Sequence, residues 1–471
     1  MPTNNDRPNI LLIMTDQQRG DALGIEGHPV LQTPNLDVLA SSGVRFGRAY
    51  STCPVCIPAR RSLMTGQTPA THGMVGYQAD AEWHPPATLP GVLRDAGYET
   101  AIVGRCMHTY PFRKRFGFDH MTISGGPNDD YRHWLDQRAP EGANGPRGAG
   151  IHVSSWVARP WHMDEHLHYT NWTIKQALRF FQTRDPSCPF FLVVSLIAPH
   201  PPFNPPAFYF DRYLRQPVHE PVIGDWAEPP PDGGKGVSIE SHHVNLTGEA
   251  LRSCRAGYYG LINHLDDMIS LLFKGTAGGC DHRSLANTVV AFTSDHGEML
   301  GDHYMFRKQR AFEGSARIPL LLRAFPEVKL DIEPGHVADQ PVCLEDIMPT
   351  LLDIAGVDTP SSVEGRSLVP LLRGGGAQPK WRSYLHGECI PFEHYLTDGK
   401  EKYIWNPSDG RELLFDLATD PTELHDLSGD EPRIAPWRKR LIDELRDRPE
   451  GFTDGHQLIA GRPRSPLLPH A

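Results

Sequence analysis

The run Asn9-Ile10-Leu11-Leu12-Ile13-Met14-Thr15-Asp16-Gln17 is apolar from residue 10 to residue 14 and then turns abruptly to threonine, aspartate and glutamine. An apolar stretch without alternation, too short for a buried helix, is the pattern of a strand covered on both faces, as in a parallel sheet. Strands of the same kind are predicted at 99–103, 190–196, 288–293 and 318–322. Between them, 34–40 starts with Pro34 after Thr33, a proline at the first helical position behind an N-cap. Residues 173–181 form a short amphipathic helix. Residues 250–273 repeat apolar side chains at Leu251, Cys254, Tyr258, Leu261, Leu265, Met268 and Leu272, a helical spacing. Strands alternating with helices predict an α/β fold built on a mostly parallel sheet.

The text breaks this rhythm in three places. Residues 120–163 and the proline-rich 199–244 have no period and read as long surface excursions, either shaping the mouth of a site or serving as loop and oligomer contacts. Aromatic residues there, among them Tyr131, Trp134, Trp156 and Trp161, either line that mouth or pack the loops themselves. From residue 384 the chain changes to short strand-like pieces at 384–386, 402–405 and 412–416, followed by a charged helix at 437–446. The predicted division is a catalytic domain over 1–380, a C-terminal α+β unit with an antiparallel sheet over 381–451, and a tail over 452–471 that is disordered or packs on a neighbouring subunit of a homo-oligomer.

The chain has 471 residues, 39% hydrophobic and 22% charged, and eight cysteines. That length supports about two or three domains. No apolar run approaches the roughly 20 residues that span a bilayer, and the first residues lack a basic segment before an apolar one. Scattered cysteines suit free thiols in a reducing compartment, so a cytoplasmic location is expected. A net charge of −11 argues against nucleic acid or an anionic membrane as partner. An anionic substrate would have to be drawn in by a local cluster of cations.

Two strand ends carry pairs of metal-binding type, Asp16-Gln17 and Asp295-His296. In an open α/β sheet ligands collect beyond the carboxyl ends of the strands, so the two pairs can face one divalent cation. Cys53-Pro54-Val55-Cys56 has the spacing of a redox pair, although a cysteine is by default a small buried hydrophobe. Cys53 is read as structural.

Cys56-Ile57-Pro58-Ala59-Arg60, followed by Leu63-Met64-Thr65-Gly66, resembles the C-x-P-x-R signature of the formylglycine sulfatases. Ser294-Asp295-His296-Gly297-Glu298-Met299-Leu300-Gly301-Asp302-His303, with Lys308 beyond it, is similar to a second and longer signature of that family. The resemblance continues through His28-Pro29, Thr33 to Asp37, Ala198-Pro199-His200-Pro201-Pro202-Phe203, Asp398 to Tyr403 and Leu414 to Leu417, nearly the whole chain. The family lies in the alkaline-phosphatase-like superfamily, which also contains phosphonate monoester hydrolases.

The resemblance implies that a maturation enzyme converts Cys56 to formylglycine. Its hydrate has two hydroxyls on one carbon, one to attack a sulfur or phosphorus ester and one to expel the anion as the aldehyde re-forms. It further implies Asp16, Gln17, Asp295 and His296, with residue 56 itself, as ligands of one divalent metal. Calcium is placed first, and manganese is admitted second because Gln17 and His296 replace an aspartate and an asparagine of many sulfatases, leaving fewer carboxylates and one nitrogen donor. Arg60 would steady the hydrate, His200 and Lys308 would contact the sulfate and its bridging oxygen, and His108 would assist the expulsion step. Gly104-Arg105-Cys106-Met107-His108 departs from the family's Gly-Lys-x-His, putting Arg105 in the lysine's substrate-binding place with different reach. The function implied is hydrolysis of an aryl or saccharide sulfate. The alternatives are a phosphonate monoester or phosphodiester hydrolase, an unmodified oxyanion-binding protein, and a thiol-redox protein.

Overall fold

A computed structural model describes residues 7–469 apart from 106–109, 127–128, 144, 146–148, 218, 232–237, 274–284 and 375–379. Fourteen strands are described. Nine of these are β1 (Asn9–Asp16), β2 (Val44–Phe46), β3 (Ala49–Tyr50), β4 (Glu99–Arg105), β5 (His120–Ser124), β6 (Phe190–Pro199), β7 (Thr288–Ser294), β8 (Leu320–Ala324) and β9 (His336–Ala338). The other five are β10 (Val342–Cys343), β11 (Leu385–Cys389), β12 (Glu393–Thr397), β13 (Glu401–Trp405) and β14 (Glu412–Asp416).

The main sheet runs β5-β4-β6-β1-β7-β8-β2-β9. β1 lies at its middle, parallel to both β6 and β7, and is buried almost throughout. Its side chains divide between two cores: Leu11 and Ile13 pack with the helices Tyr169–Thr183 and Gly248–Phe273, while Ile10, Leu12 and Met14 pack with the helices Cys56–Thr65 and Ile347–Ile354. Each face of this strand is thus removed from water by a separate layer, which is why its sequence shows no alternation.

β8 runs antiparallel to its neighbours and lies two residues later than 318–322. Pro319 accounts for the shift, since it has no N–H to give to a ladder and its carbonyl is taken by the Thr293 hydroxyl. The helix expected at 173–181 is longer, Tyr169–Thr183, because the His168 ring accepts the Thr170 N–H and opens a first turn that is wholly buried. Such a turn carries no amphipathic signal.

The two excursions are more ordered than the sequence suggests. Residues 120–163 open with β5, which extends the sheet in parallel with β4, and then form the helix Asp130–Asp136, capped by Asp129. Tyr131 and Trp161 are core residues, and Trp134 and Trp156 pack against them, so these aromatics hold the excursion itself. Residues 199–244 contain the helix Ala207–Leu214, which lies on Gly248–Phe273.

β11–β14 form a separate four-stranded antiparallel sheet, covered by the helix Glu431–Glu444. The tail, expected to be disordered or to sit on another subunit, lies on its own chain as far as it is described. Phe452 and Leu468 are buried, Leu468 donates its N–H to the Gly73 carbonyl and Val75 donates to Pro466. Among the described residues no helix is long and apolar enough to cross a membrane.

Candidate active site

β1, β4, β6 and β7 deliver their carboxyl ends to one edge of the sheet, and the candidate residues lie there. Asp16 ends β1, Arg105 ends β4, His200 follows β6 and Asp295 follows β7. The fifth contributor is the helix Cys56–Thr65, which begins at Cys56 itself. Pro58 is tolerated in its first turn, where the N–H has no helical partner. Gly66 ends it in the left-handed conformation, φ 66°, which a residue without Cβ adopts at least cost. Arg60 is one turn on from Cys56 and shares its face.

Arg60 is fully buried and ties the two strand ends together. Its Nε donates to Asp295 Oδ2 and its NH2 to Asp16 Oδ2, both at 2.8 Å, while NH1 donates to Ser195 Oγ at 3.1 Å. Arg105 Nε takes the same Asp16 Oδ2 at 2.8 Å. The guanidinium groups therefore occupy one oxygen of each carboxylate, and Oδ1 of each is left facing Cys56 and His296.

Around those oxygens the geometry is tight. Cys56 Sγ is 3.1 Å from Lys308 Nζ, 3.3 Å from His296 Nε2 and 3.8 Å from Asp16 Oδ1. His296 Nδ1 lies 3.0 Å from the Gly297 carbonyl; that oxygen only accepts, so Nδ1 carries a proton and Nε2 is the nitrogen turned toward the site. Gln17 sits at φ 73°, a conformation that side chains other than glycine rarely take. Its N–H donates to Asp295 Oδ1 at 3.1 Å and its carbonyl accepts from the Tyr258 hydroxyl at 2.8 Å.

The residues fit a divalent cation. One ligand atom each from Asp16, Cys56, Asp295 and His296 lie within 4.8 Å of one another, all buried, and Gln17 Oε1 is turned inward by its bond from Lys308 Nζ at 2.9 Å. Two carboxylates, an amide oxygen and an imidazole nitrogen are donors for calcium, magnesium or manganese. The electrostatics agree. Burial and the neighbouring Asp16 charge push the Asp295 carboxyl up to about 6. Burial would depress His296, but the Asp295 carboxylate overcomes it and holds the imidazole above its usual range. Both shifts mark a place where positive charge is wanted. Asp16 differs: burial would raise it, and the charges of Arg105, His200, Arg60 and Lys308 together hold it well below the ordinary carboxylate range.

Of the predicted site residues, Asp16, Gln17, Cys56, Arg60, Arg105, Asp295, His296 and Lys308 come together through the contacts above, and His200 follows the end of β6, the strand next to β1, on the same edge of the sheet. His108 lies outside the described residues. The Cys53–Cys56 redox pair is not formed: Cys53 is buried with Val55 and Cys389, Cys56 faces the acidic pair, and no disulfide joins them.

Three participants were not anticipated. Ser195 receives Arg60, and its only trace in the sequence is one hydroxyl in an apolar strand. Tyr258 was counted among the apolar positions of its helix. Glu298 was quoted in the long signature without a role. It is buried, accepts the Gln17 side-chain amide and the Arg307 N–H, and accepts the Leu300 N–H at 2.9 Å. Glu298→Ala frees the Gln17 amide to rotate, and divalent-cation affinity is expected to fall about 10- to 100-fold in calorimetric titration; an unchanged affinity would remove Gln17 from the ligand set.

The sulfatase family model matches residues 8–357, and the model described as N-sulphoglucosamine sulphohydrolase, C-terminal, matches residues 301–450. The arylsulfatase of Clostridium perfringens is 40% identical, over 98% of this chain and 99% of that protein. The choline-sulfatase of Rhizobium meliloti is 32% identical over 94% of this chain and 86% of that protein. The crystal structure of the phosphonate monoester hydrolase of Agrobacterium radiobacter superposes with a TM-score of 0.75 at 27% identity, covering 93% of this chain and 95% of that one. The mostly parallel sheet, its flanking helices and the antiparallel C-terminal sheet are those of the alkaline-phosphatase-like class. Within that class the chain belongs to the sulfatase family, whose members are sulfuric ester hydrolases.

Proposed function

We propose that the chain hydrolyses an aryl or saccharide sulfate through formylglycine made from Cys56, with one divalent cation, calcium ahead of manganese, at Asp16, Gln17, Asp295, His296 and residue 56. The observation that carries the reading is the position of Cys56 Sγ, between Lys308 Nζ at 3.1 Å and the acidic pair bound by Arg60. The cation, when bound, supplies Lewis-acid polarisation of the ester oxygens and acidifies a hydroxyl on residue 56. The hydrated aldehyde supplies two hydroxyls, one for attack and one for release of the anion.

The protein's own groups divide the remaining work. Arg60 fixes both carboxylates and sits one helical turn from residue 56, so it holds the nucleophile's surroundings without reorganisation. The Cys56–Thr65 helix starts at residue 56, and the positive end of its dipole favours negative charge developing there. His200 and Lys308 differ as proton donors. His200 Nδ1 is 2.6 Å from the Pro201 carbonyl, so its proton is committed there. Burial and the Lys308 charge push this imidazole well below its ordinary value, leaving Nε2 bare. Lys308, with three N–H bonds on a flexible stem, is the group that protonates the departing alcohol, and His200 accepts a hydrogen bond or orients the substrate.

A phosphonate monoester or phosphodiester is the second reading, favoured by Gln17 and His296 standing where many sulfatases carry aspartate and asparagine. Matched aryl sulfate, aryl phosphonate monoester and phosphodiester should be compared on fully matured enzyme. Higher kcat/KM on the sulfate is expected; higher efficiency on either phosphorus ester would reverse the order.

A further inference from the structure

The cations around the site are unequally committed. Arg60 and Arg105 are bound to Asp16, and Arg310 pairs with Glu393 at 3.1 Å while lying 4.6 Å over the Phe392 ring. Arg307 is different. Its backbone N–H is held by Glu298 and its φ is 73°. Its guanidinium makes a long contact, 3.4 Å, with the Glu240 carbonyl. Among the described residues no carboxylate pairs with it, although the chain as a whole has a net charge of −11.

Its position gives that spare charge a use. Arg307 immediately precedes Lys308, whose Nζ reaches Cys56 Sγ. The residue before Arg307, Phe306, donates its N–H to the His242 carbonyl at 3.0 Å, and Gln309 donates to the Pro54 carbonyl at 2.9 Å, so the segment that carries Arg307 runs between His242 and the turn leading into Cys56. Tyr77 is 50% exposed and follows Gly76, which bridges Ile390; the adjoining Cys389 packs with Val55, the residue before the nucleophile, so an open aromatic face stands in the neighbourhood of Cys56. His242 leans on Phe392, ring centroids 5.6 Å apart, and its buried Nδ1 has no hydrogen-bond partner. An open aromatic ring in the same neighbourhood as a half-buried guanidinium that no described carboxylate pairs suits a flat substrate ring that bears a negative substituent. A quaternary ammonium alcohol would be repelled.

We propose that Arg307 recognises a second anionic group, a carboxylate or a further sulfate, on the alcohol half of the substrate, whose ring lies against Tyr77. This rests on the sulfuric-ester reading. Arg307 acts on selection of the substrate and not on the reacting atoms.

The test is kcat/KM for phenyl sulfate, 3-carboxyphenyl sulfate and 4-carboxyphenyl sulfate, on the full chain and on Arg307→Gln and Arg307→Lys. Differences in intrinsic leaving-group reactivity cancel when each variant's carboxylated-to-plain ratio is divided by that of the unaltered enzyme. For at least one carboxylated ester the ratio is expected to fall about ten-fold or more in Arg307→Gln, chiefly through KM, with partial recovery in Arg307→Lys. Equal ratios in all three proteins would overturn the inference while leaving the sulfatase reading intact. Failure of the unaltered enzyme to hydrolyse any of the three sulfates would overturn the inference together with the aryl-sulfate half of the reading it rests on.

Discussion

Cys56→Ala is expected to lower turnover of an aryl sulfate by about 10⁴-fold or more, because residual rate would come only from binding and charge stabilisation. The thiol is small and enclosed by polar groups at the start of a buried helix, so the variant should fold, and circular dichroism with a thermal melt would verify that. Cys56→Ser sharpens the point. A serine hydroxyl can attack, but with one oxygen on its carbon it cannot expel the anion by forming a carbonyl. One equivalent of alcohol should therefore appear per enzyme, followed by arrest. Sustained turnover by Cys56→Ala would mean that residue 56 is not the nucleophile, and sustained turnover by Cys56→Ser would mean that release of the anion does not need the second hydroxyl.

Arg60→Gln should affect stability as well as rate. The guanidinium is fully buried and bridges Asp16 and Asp295 at 2.8 Å each. Removing it leaves two buried carboxylates facing one another, with Arg105 on only one of them. Loss of one partner from a buried ion pair costs about 3–5 kcal/mol, to be read by urea denaturation of the metal-free protein. A divalent cation replaces part of the missing charge and binds only the folded state, so its addition should recover a share of the loss. Turnover should fall about 10²- to 10³-fold, the usual consequence of losing a preorganised donor. A variant as stable as its parent would show that the carboxylates do not depend on Arg60.

What the sequence made legible follows from how each part is held. β1 could be read because both of its faces are covered by apolar layers, leaving an unbroken hydrophobic run that ends on Asp16. The Cys56 helix and the Ser294–His303 string were legible because their chemistry demands specific residue types at short spacing. β5 was hidden by its place at the sheet edge, where only Ile123 and Ser124 of its five residues are buried and no hydrophobic pattern is needed. β12 was hidden for a different reason: it buries Glu393, His394 and Thr397, and Glu393 is offset by Arg310 across a gap of more than eighty residues. Ser195, Tyr258 and Glu298 act by supporting other residues. Their roles exist only once β1, β6 and β7 stand side by side, so no local spacing betrays them. Arg105 illustrates the same limit. Its departure from the family lysine was visible, but the salt bridge to Asp16 required the fold.

The most direct measurement is the mass of the peptide containing residue 56, taken from the full chain made in its natural host or beside a maturation enzyme. The account predicts an aldehyde or its hydrate at that position, in proportion to specific activity across preparations. An intact thiol at residue 56 in fully active protein, or a disulfide to Cys53, would contradict it.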